Sequence, residues 1–222
     1  MLMDHVPEPP KGGGEPEPKP VVPMVSIQWF ESPEDAAEDH KMADQRSEDQ
    51  RSADEHLTHD EIEALLVAHL DRQLVVVGAS TGSDTHTVGI DAILNLKGYD
   101  GHHGLEAYRG FRAYNMGSQV ANGDLIAKAI EVDADAILVS QTVTQQGLHV
   151  GNLTQLVDMI EAEGLRDRVV LCCGGPLITD ELAKELGYDA GFSKGTYPHH
   201  VAAYLARTAI ERSDAETAVA GG

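Results

Sequence analysis

Cysteine is nearly absent, positive charge is scarce and long apolar runs are missing, and each shortage removes a class of protein. The 222 residues include 2 cysteines, adjacent at Cys172 and Cys173. Neighbouring cysteines do not easily bridge each other and offer no C-x-x-C spacing, which argues against a disulfide scaffold or a zinc finger. They read as small apolar residues of a buried strand. Lys and Arg total 16 against 37 Asp and Glu, a formal net charge of −21. Such a surface repels phosphates, so neither nucleic acid nor an anionic membrane is expected as the main partner. No window has the apolar length that spans a bilayer, and the opening MLMDHVPEPPKGGG lacks the basic and then apolar pattern of a signal peptide. The expected location is the cytoplasm.

What is present divides into unlike parts. Residues 1–57 are acidic and Pro/Gly-rich, without an apolar stripe wide enough to pack, and predict disorder, with the patch VVPMVSIQWF around Trp29 as the exception. Residues 214–222 predict a disordered tail. Between them, residues 58–213 alternate apolar runs of strand length with segments of helical period. HDEIEALLVAHLD places Ile62, Leu65, Leu66 and Leu70 on one helix face. Strands are predicted at QLVVVGA, FRAYNMG, AILVSQT, RVVLCCGG and AGF, and helices at VGIDAILNLKG, GDLIAKAIEVD, NLTQLVDMIEAEG, TDELAKELG and HHVAAYLARTAIERS. Continuous apolar strands are buried on both faces, as in a parallel sheet covered by helices. The fold expected is α/β, a flavodoxin-like, doubly wound sheet of five parallel strands. Such sheets bind ligands beyond the carboxyl ends of their strands, near the point where strand order reverses. That places the loop STGSDTHTVG, after the first strand, at the expected site.

Three chemistries compete for this loop. A phosphate cradle lacks its glycine and lysine motif, since neither G-x-G-x-x-G nor G-K-[ST] is present. A phosphoacceptor aspartate leaves His86 without a purpose. A metal ligand uses both residues, because a carboxylate two positions before a histidine can hold one ring nitrogen and leave the other for the metal. One histidine does not close a zinc site, so the metal must bring most of its ligands in an organic ring.

The string DTHTVG from Asp84 to Gly89, with SQT from Ser140 to Thr142 and the glycines Gly174 and Gly175, resembles the signature of cobalamin-binding domains. In that family the histidine replaces the cofactor's own dimethylbenzimidazole base beneath cobalt, which implies His86 as the metal ligand here. The freed nucleotide tail then enters a slot that a serine lines and two glycines open. The resemblance implies cofactor contacts at Asp84, Thr85, His86, Thr87, Val88 and Gly89. Further contacts are implied at Leu138, Ser140, Gln141, Thr142 and Thr144, at Gly174, Gly175 and Pro176, and at Phe192 and Gly195.

A longer likeness, over about residues 72–212 and including VVVGASTGSDTHTVGIDAILNLKGYDG and EAEGLRDRVVLCCGGP, is to the cobalamin-binding (beta) subunits of the lysine 5,6-aminomutase family. It implies an isomerase subunit that uses adenosylcobalamin and pyridoxal 5'-phosphate to move the terminal amino group of D-lysine or β-lysine by a radical route. Lys97, eleven residues after His86, matches the catalytic lysine that forms an imine with the pyridoxal. The rest of the pyridoxal site implies an alpha subunit with a barrel, and so a hetero-oligomer. The four-helix module common before methyl carriers is not seen, and an acidic stretch stands where the family has an association segment. The alternatives are a non-catalytic corrinoid carrier or sensor of the methyl-transfer type, and the ornithine 4,5-aminomutase equivalent. His102 and His103, just after the lysine, either face the interface between the cofactors or are ordinary surface histidines, and His199 and His200 receive no role.

Overall fold

The structure is a computed structural model that describes residues 57–142 and 147–220. The expected disorder of residues 1–57 and the patch around Trp29 lie outside the described residues, Leu57 apart. The first helix, α1 (His59–His69), begins at a capping box in which Thr58 and Glu61 satisfy each other's backbone N–H groups. Its Ile62 and Leu66 are buried, whereas Leu65 and Leu70 are only partly covered.

Five strands follow: β1 (Leu74–Ser80), β2 (Phe111–Asn115), β3 (Ala136–Ser140), β4 (Val170–Gly174) and β5 (Ala190–Phe192). All pair in parallel in the order β2-β1-β3-β4-β5, the flavodoxin order expected from the alternation. The register sets Ser80 level with Ser140, Ser140 with Gly174, and Gly174 with Phe192. Four strands therefore end on one line, and the loops that follow them share one rim.

Helices cover both faces. On one, α1, α2 (Val88–Leu94) and α6 (Pro198–Ala220) enclose a core with Val76, Leu94, Leu138, Cys172 and Leu205. On the other, α3 (Asn122–Glu131), α4 (Leu148–Ala162) and α5 (Asp180–Glu185) cover Val77, Leu125, Ile137, Leu153 and Cys173. The two cysteines face opposite cores because successive strand residues alternate sides, and both are free thiols.

Three boundaries differ from the sequence reading. α2 stops at Leu94, so Lys97 lies in a turn rather than in the helix. The cause is Asn95, whose backbone is extended at ψ 148° and whose side chain is held by Asn115 Nδ2 at 2.8 Å. α4 starts at Leu148, before the predicted NLTQL. α6 runs on to Ala220, through most of the stretch read as a tail; Ala and Glu are strong helix formers, and no Gly or Pro interrupts them there.

Candidate functional site

The rim at the carboxyl ends of the strands is organised by Asp84, which is 1% exposed. Its Oδ1 accepts the His86 backbone N–H at 2.9 Å and lies 2.8 Å from His86 Nδ1. Its Oδ2 accepts the backbone N–H of Thr142, just beyond β3. An ionised carboxylate only accepts, so Nδ1 carries the ring proton and Nε2 presents its lone pair. The His86 side chain is 53% exposed, and Nε2 makes no hydrogen bond among the described residues. The backbone is held as firmly as the ring: Ser80 Oγ donates to the His86 carbonyl at 2.6 Å, and Gln119 N–H donates to the Asp84 carbonyl at 2.9 Å.

Beneath the loop lies a buried polar layer. Gln141 Nε2 donates to the Thr81 carbonyl at 2.9 Å and to Thr81 Oγ1 at 2.8 Å, and Asn152 Nδ2 donates to the same hydroxyl at 2.7 Å. Buried polar groups that satisfy one another rigidify what they support. Gln141 belongs to the expected site. Ser80, Thr81, Gln119 and Asn152 were missed, and the only local signal for the first two is a pair of hydroxyls closing an apolar strand.

Exposed apolar side chains follow the carboxyl ends of three strands. Val88, Leu148 and Leu177 are 75%, 59% and 61% exposed, and they open the segments that follow β1, β3 and β4. Apolar side chains left in water at one rim mark a surface made to be covered. Gly89 lies so near Ser140 that a Cβ there would stand 2.8 Å from the Ser140 hydroxyl. Gly175 has a different reason from the expected one: a Cβ would meet the Gln141 carbonyl oxygen at 2.0 Å, so glycine is required by the chain's own crossing and not by a ligand alone.

The other expected residues lie in the loops of the same rim or in the strands that lead to it. Thr85 is exposed and Thr87 precedes α2 without capping it. Leu138 is a core residue of β3, 5% exposed. Pro176 and Gly195 are exposed, and Phe192 packs its ring on Tyr204 at 5.8 Å. Thr144 lies outside the described residues.

Lys97 is exposed at the base of a tight turn. Tyr99 and His102 each donate a backbone N–H to the other's carbonyl at 2.9 Å, and Asp100 and Gly101 between them have φ of 50° and 81°. Two central residues with positive φ make the Asp-Gly turn that closes a two-residue hairpin. Leu96 N–H donates to the Glu106 carboxylate at 2.8 Å. The lysine thus stands on a braced support.

A cleft of about 1150 Å³ lies at the opposite, amino end of the sheet, lined by Arg72, Asp135, Arg166 and Asp189 among others. Arg72 is paired there with Asp135 and Arg166 with Asp189, and His86 is not among its lining residues. Among the described residues no group of three or more His, Cys, Asp or Glu is arranged to hold a metal ion. A lone oriented imidazole on an apolar rim fits a metal already enclosed in a flat organic ring.

Residues 74–202 match the family model of the B12 binding domain. The chain belongs to that family. It is 57% identical over 158 residues to the lysine 5,6-aminomutase beta subunit of Acetoanaerobium sticklandii, covering 71% of this chain and 60% of that one. It is 59% identical over 152 residues to the beta subunit of the same name from Fusobacterium nucleatum, covering 68% and 58%. The D-ornithine 4,5-aminomutase subunit beta of A. sticklandii is 35% identical over 134 residues, 60% of this chain and 17% of that protein. The B12-binding chain thus spans about three fifths of the length of the lysine aminomutase relatives. Among the described residues, no helix is long and apolar enough to cross a membrane.

Proposed function

We propose that this chain is the cobalamin-binding subunit of a lysine 5,6-aminomutase, working with adenosylcobalamin and pyridoxal phosphate on D-lysine or β-lysine, in a cytoplasmic hetero-oligomer with a partner that holds the pyridoxal. The observation that carries the reading is a single loop, helix and turn that offers both an imidazole oriented by a buried carboxylate and, eleven residues on, a braced and exposed Lys97. The identity to lysine aminomutase subunits, higher than to the ornithine enzyme, supports the choice of substrate class.

Each residue then has a task. His86 would hold the cobalt through Nε2, and Asp84 would keep the proton on Nδ1 and fix the orientation of the ring. Val88, Leu148 and Leu177 would cover the edge of the ring system and keep water from it. Ser140, Gly174, Gly175 and Gly195 would border the nucleotide tail. Bound adenosylcobalamin would supply an organic radical, and bound pyridoxal phosphate a conjugated ring that eases nitrogen migration; the protein positions and restrains. The Lys97 amine would hold the pyridoxal aldehyde until the substrate's amine takes its place, keeping this domain in an open position. Its release would free the domain to move over the partner, a gate against idle radical formation.

The test is electron paramagnetic resonance of the chain loaded with cob(II)alamin, with ordinary and nitrogen-15 histidine. The expected result is a nitrogen splitting that changes from triplets to doublets with the label and is lost in His86→Ala. A splitting indifferent to the label overturns the reading. A non-catalytic carrier would need His86 but not Lys97, so Lys97→Arg that loses turnover in the assembled complex while keeping cobalamin would favour the mutase subunit, and a complex without any aminomutase turnover the carrier.

A further inference from the structure

Aromatic rings from two distant parts of the chain meet beside the Lys97 turn. The His102 ring centroid is 4.5 Å from that of Tyr197 and 4.6 Å from that of His199, the latter pair stacked at 29°. Tyr99 stacks over Tyr197 at 6.4 Å and 27°. The backbone of Tyr197 is fixed in turn, since its N–H donates to His200 Nδ1 at 3.2 Å.

Tyr99 and His102 are the two residues that close the hairpin above Lys97. The hydrogen bonds from Leu96 to Glu106 and between Tyr99 and His102 stay within the segment, while Asn95 at its root is tied to Asn115 of β2. The rings cross instead to the junction of the loop after β5 with α6. An exposed lysine on an isolated turn would sample a wide arc; one whose turn is clasped by two stacked rings is confined.

We infer that Tyr197 is a positioning residue, whose ring clasps Tyr99 and His102 and so fixes where Lys97 stands. The inference rests on the reading of Lys97 as the residue that holds the pyridoxal aldehyde. Stacking needs the ring and not the hydroxyl, so phenylalanine should serve in its place.

The experiment uses the full chain and its complex with the pyridoxal-binding partner, as Tyr197→Ala, Tyr197→Phe and His102→Ala. Hydrogen exchange at the Tyr99 and His102 amides should quicken about tenfold or more in Tyr197→Ala, and the Tyr99 amide likewise in His102→Ala, with Tyr197→Phe close to the unsubstituted chain. Borohydride reduction of the complex with pyridoxal phosphate should leave severalfold less pyridoxal on Lys97 in both alanine variants and the usual amount in Tyr197→Phe. Exchange unchanged in both alanine variants would overturn the clasp. Faster exchange with undiminished trapping would overturn the positioning role. No pyridoxal on Lys97 in the unsubstituted complex would overturn the underlying reading of the lysine, and is told apart by hairpin protection that still depends on Tyr197.

Discussion

The two ends of the β1/β3 pair carry the same device with different partners. At the amino end Asp135, the residue before β3, accepts the Val75 N–H of β1 at 2.8 Å and a two-pronged Arg72 guanidinium at 2.7 and 2.6 Å. At the carboxyl end Asp84, beyond β1, accepts the Thr142 N–H beyond β3 together with the backbone and ring N–H groups of His86. A guanidinium has donors only, so the amino-end arrangement neutralises itself and stops there. An imidazole has a second nitrogen, so the carboxyl-end arrangement passes the carboxylate's influence on to a lone pair left open at the rim. Asp189 repeats the closed version before β5, taking the Leu171 N–H at 2.7 Å and the Arg166 fork. One kind of carboxylate thus makes structure or prepares a ligand according to the chemistry of its third partner.

The largest expected effect would blur this division, because it places a structural need on the functional rim. Gly175→Ala drives a Cβ into the Gln141 carbonyl, and neither strand end can yield without losing its hydrogen bonds. A loss of about 3 kcal/mol or more in urea unfolding is expected. Full stability with lost cobalamin binding would instead make Gly175 a ligand-facing residue only. Asp135→Ala comes next and tests the amino end. It strands the Val75 N–H and the Arg72 fork, at a cost of about 2–3 kcal/mol in unfolding free energy, with cobalamin affinity of the folded protein unchanged. A drop in affinity larger than the drop in stability would mean that the two ends are coupled.

Asp84→Asn sharpens the contrast from the other side. The amide keeps the shape but can no longer accept every N–H that converges on it, and the ring loses its fixed tautomer. Removing the group that orients a metal-bound histidine typically lowers affinity about 10–100-fold, and cobalamin titration by calorimetry should return a loss in that range. The comparison fails if Asp84→Asn and Asp135→Ala affect cobalamin equally.

What was legible in the sequence follows the range of the forces involved. Apolar runs such as LVVVGA and AILVS report burial directly, so the strands and their parallel order could be read. The spacing of Asp84 and His86 reports a bond between neighbours, and that pair was read as well. Thr142 lies 58 residues from Asp84, so its part in holding the carboxylate has no local trace. The end of α2 was misplaced for the same reason, since Asn95 is drawn from the helix by Asn115 on β2. The meeting of His102 with Tyr197 and His199 has no local trace either, because only the fold brings the turn after α2 to the start of α6.

The core holds weak acids that burial keeps neutral, and pH should find them. Burial pushes the Cys173 thiol from 9.0 up to about 12, Asp180 adding to it, and pushes the Tyr108 hydroxyl from 10.0 up to about 12. Both groups are neutral at pH 7, and both are harder to ionise in the folded chain than in the unfolded one. The unfolded state therefore releases protons first as the medium becomes alkaline. Their contribution is fully present below the unfolded values and is lost as pH rises from about 9 towards 12, on the order of 1 kcal/mol per pH unit for each group. Urea midpoints should hold level from neutral pH to about pH 9 and then fall, and Cys173→Ala should lessen the first part of the decline, with the buried Cys172 thiol, also pushed up by burial, sustaining the rest. A decline that begins below pH 8 and is untouched by Cys173→Ala would place the pH sensitivity outside the core, and would remove the distinction between a sealed interior and a prepared edge.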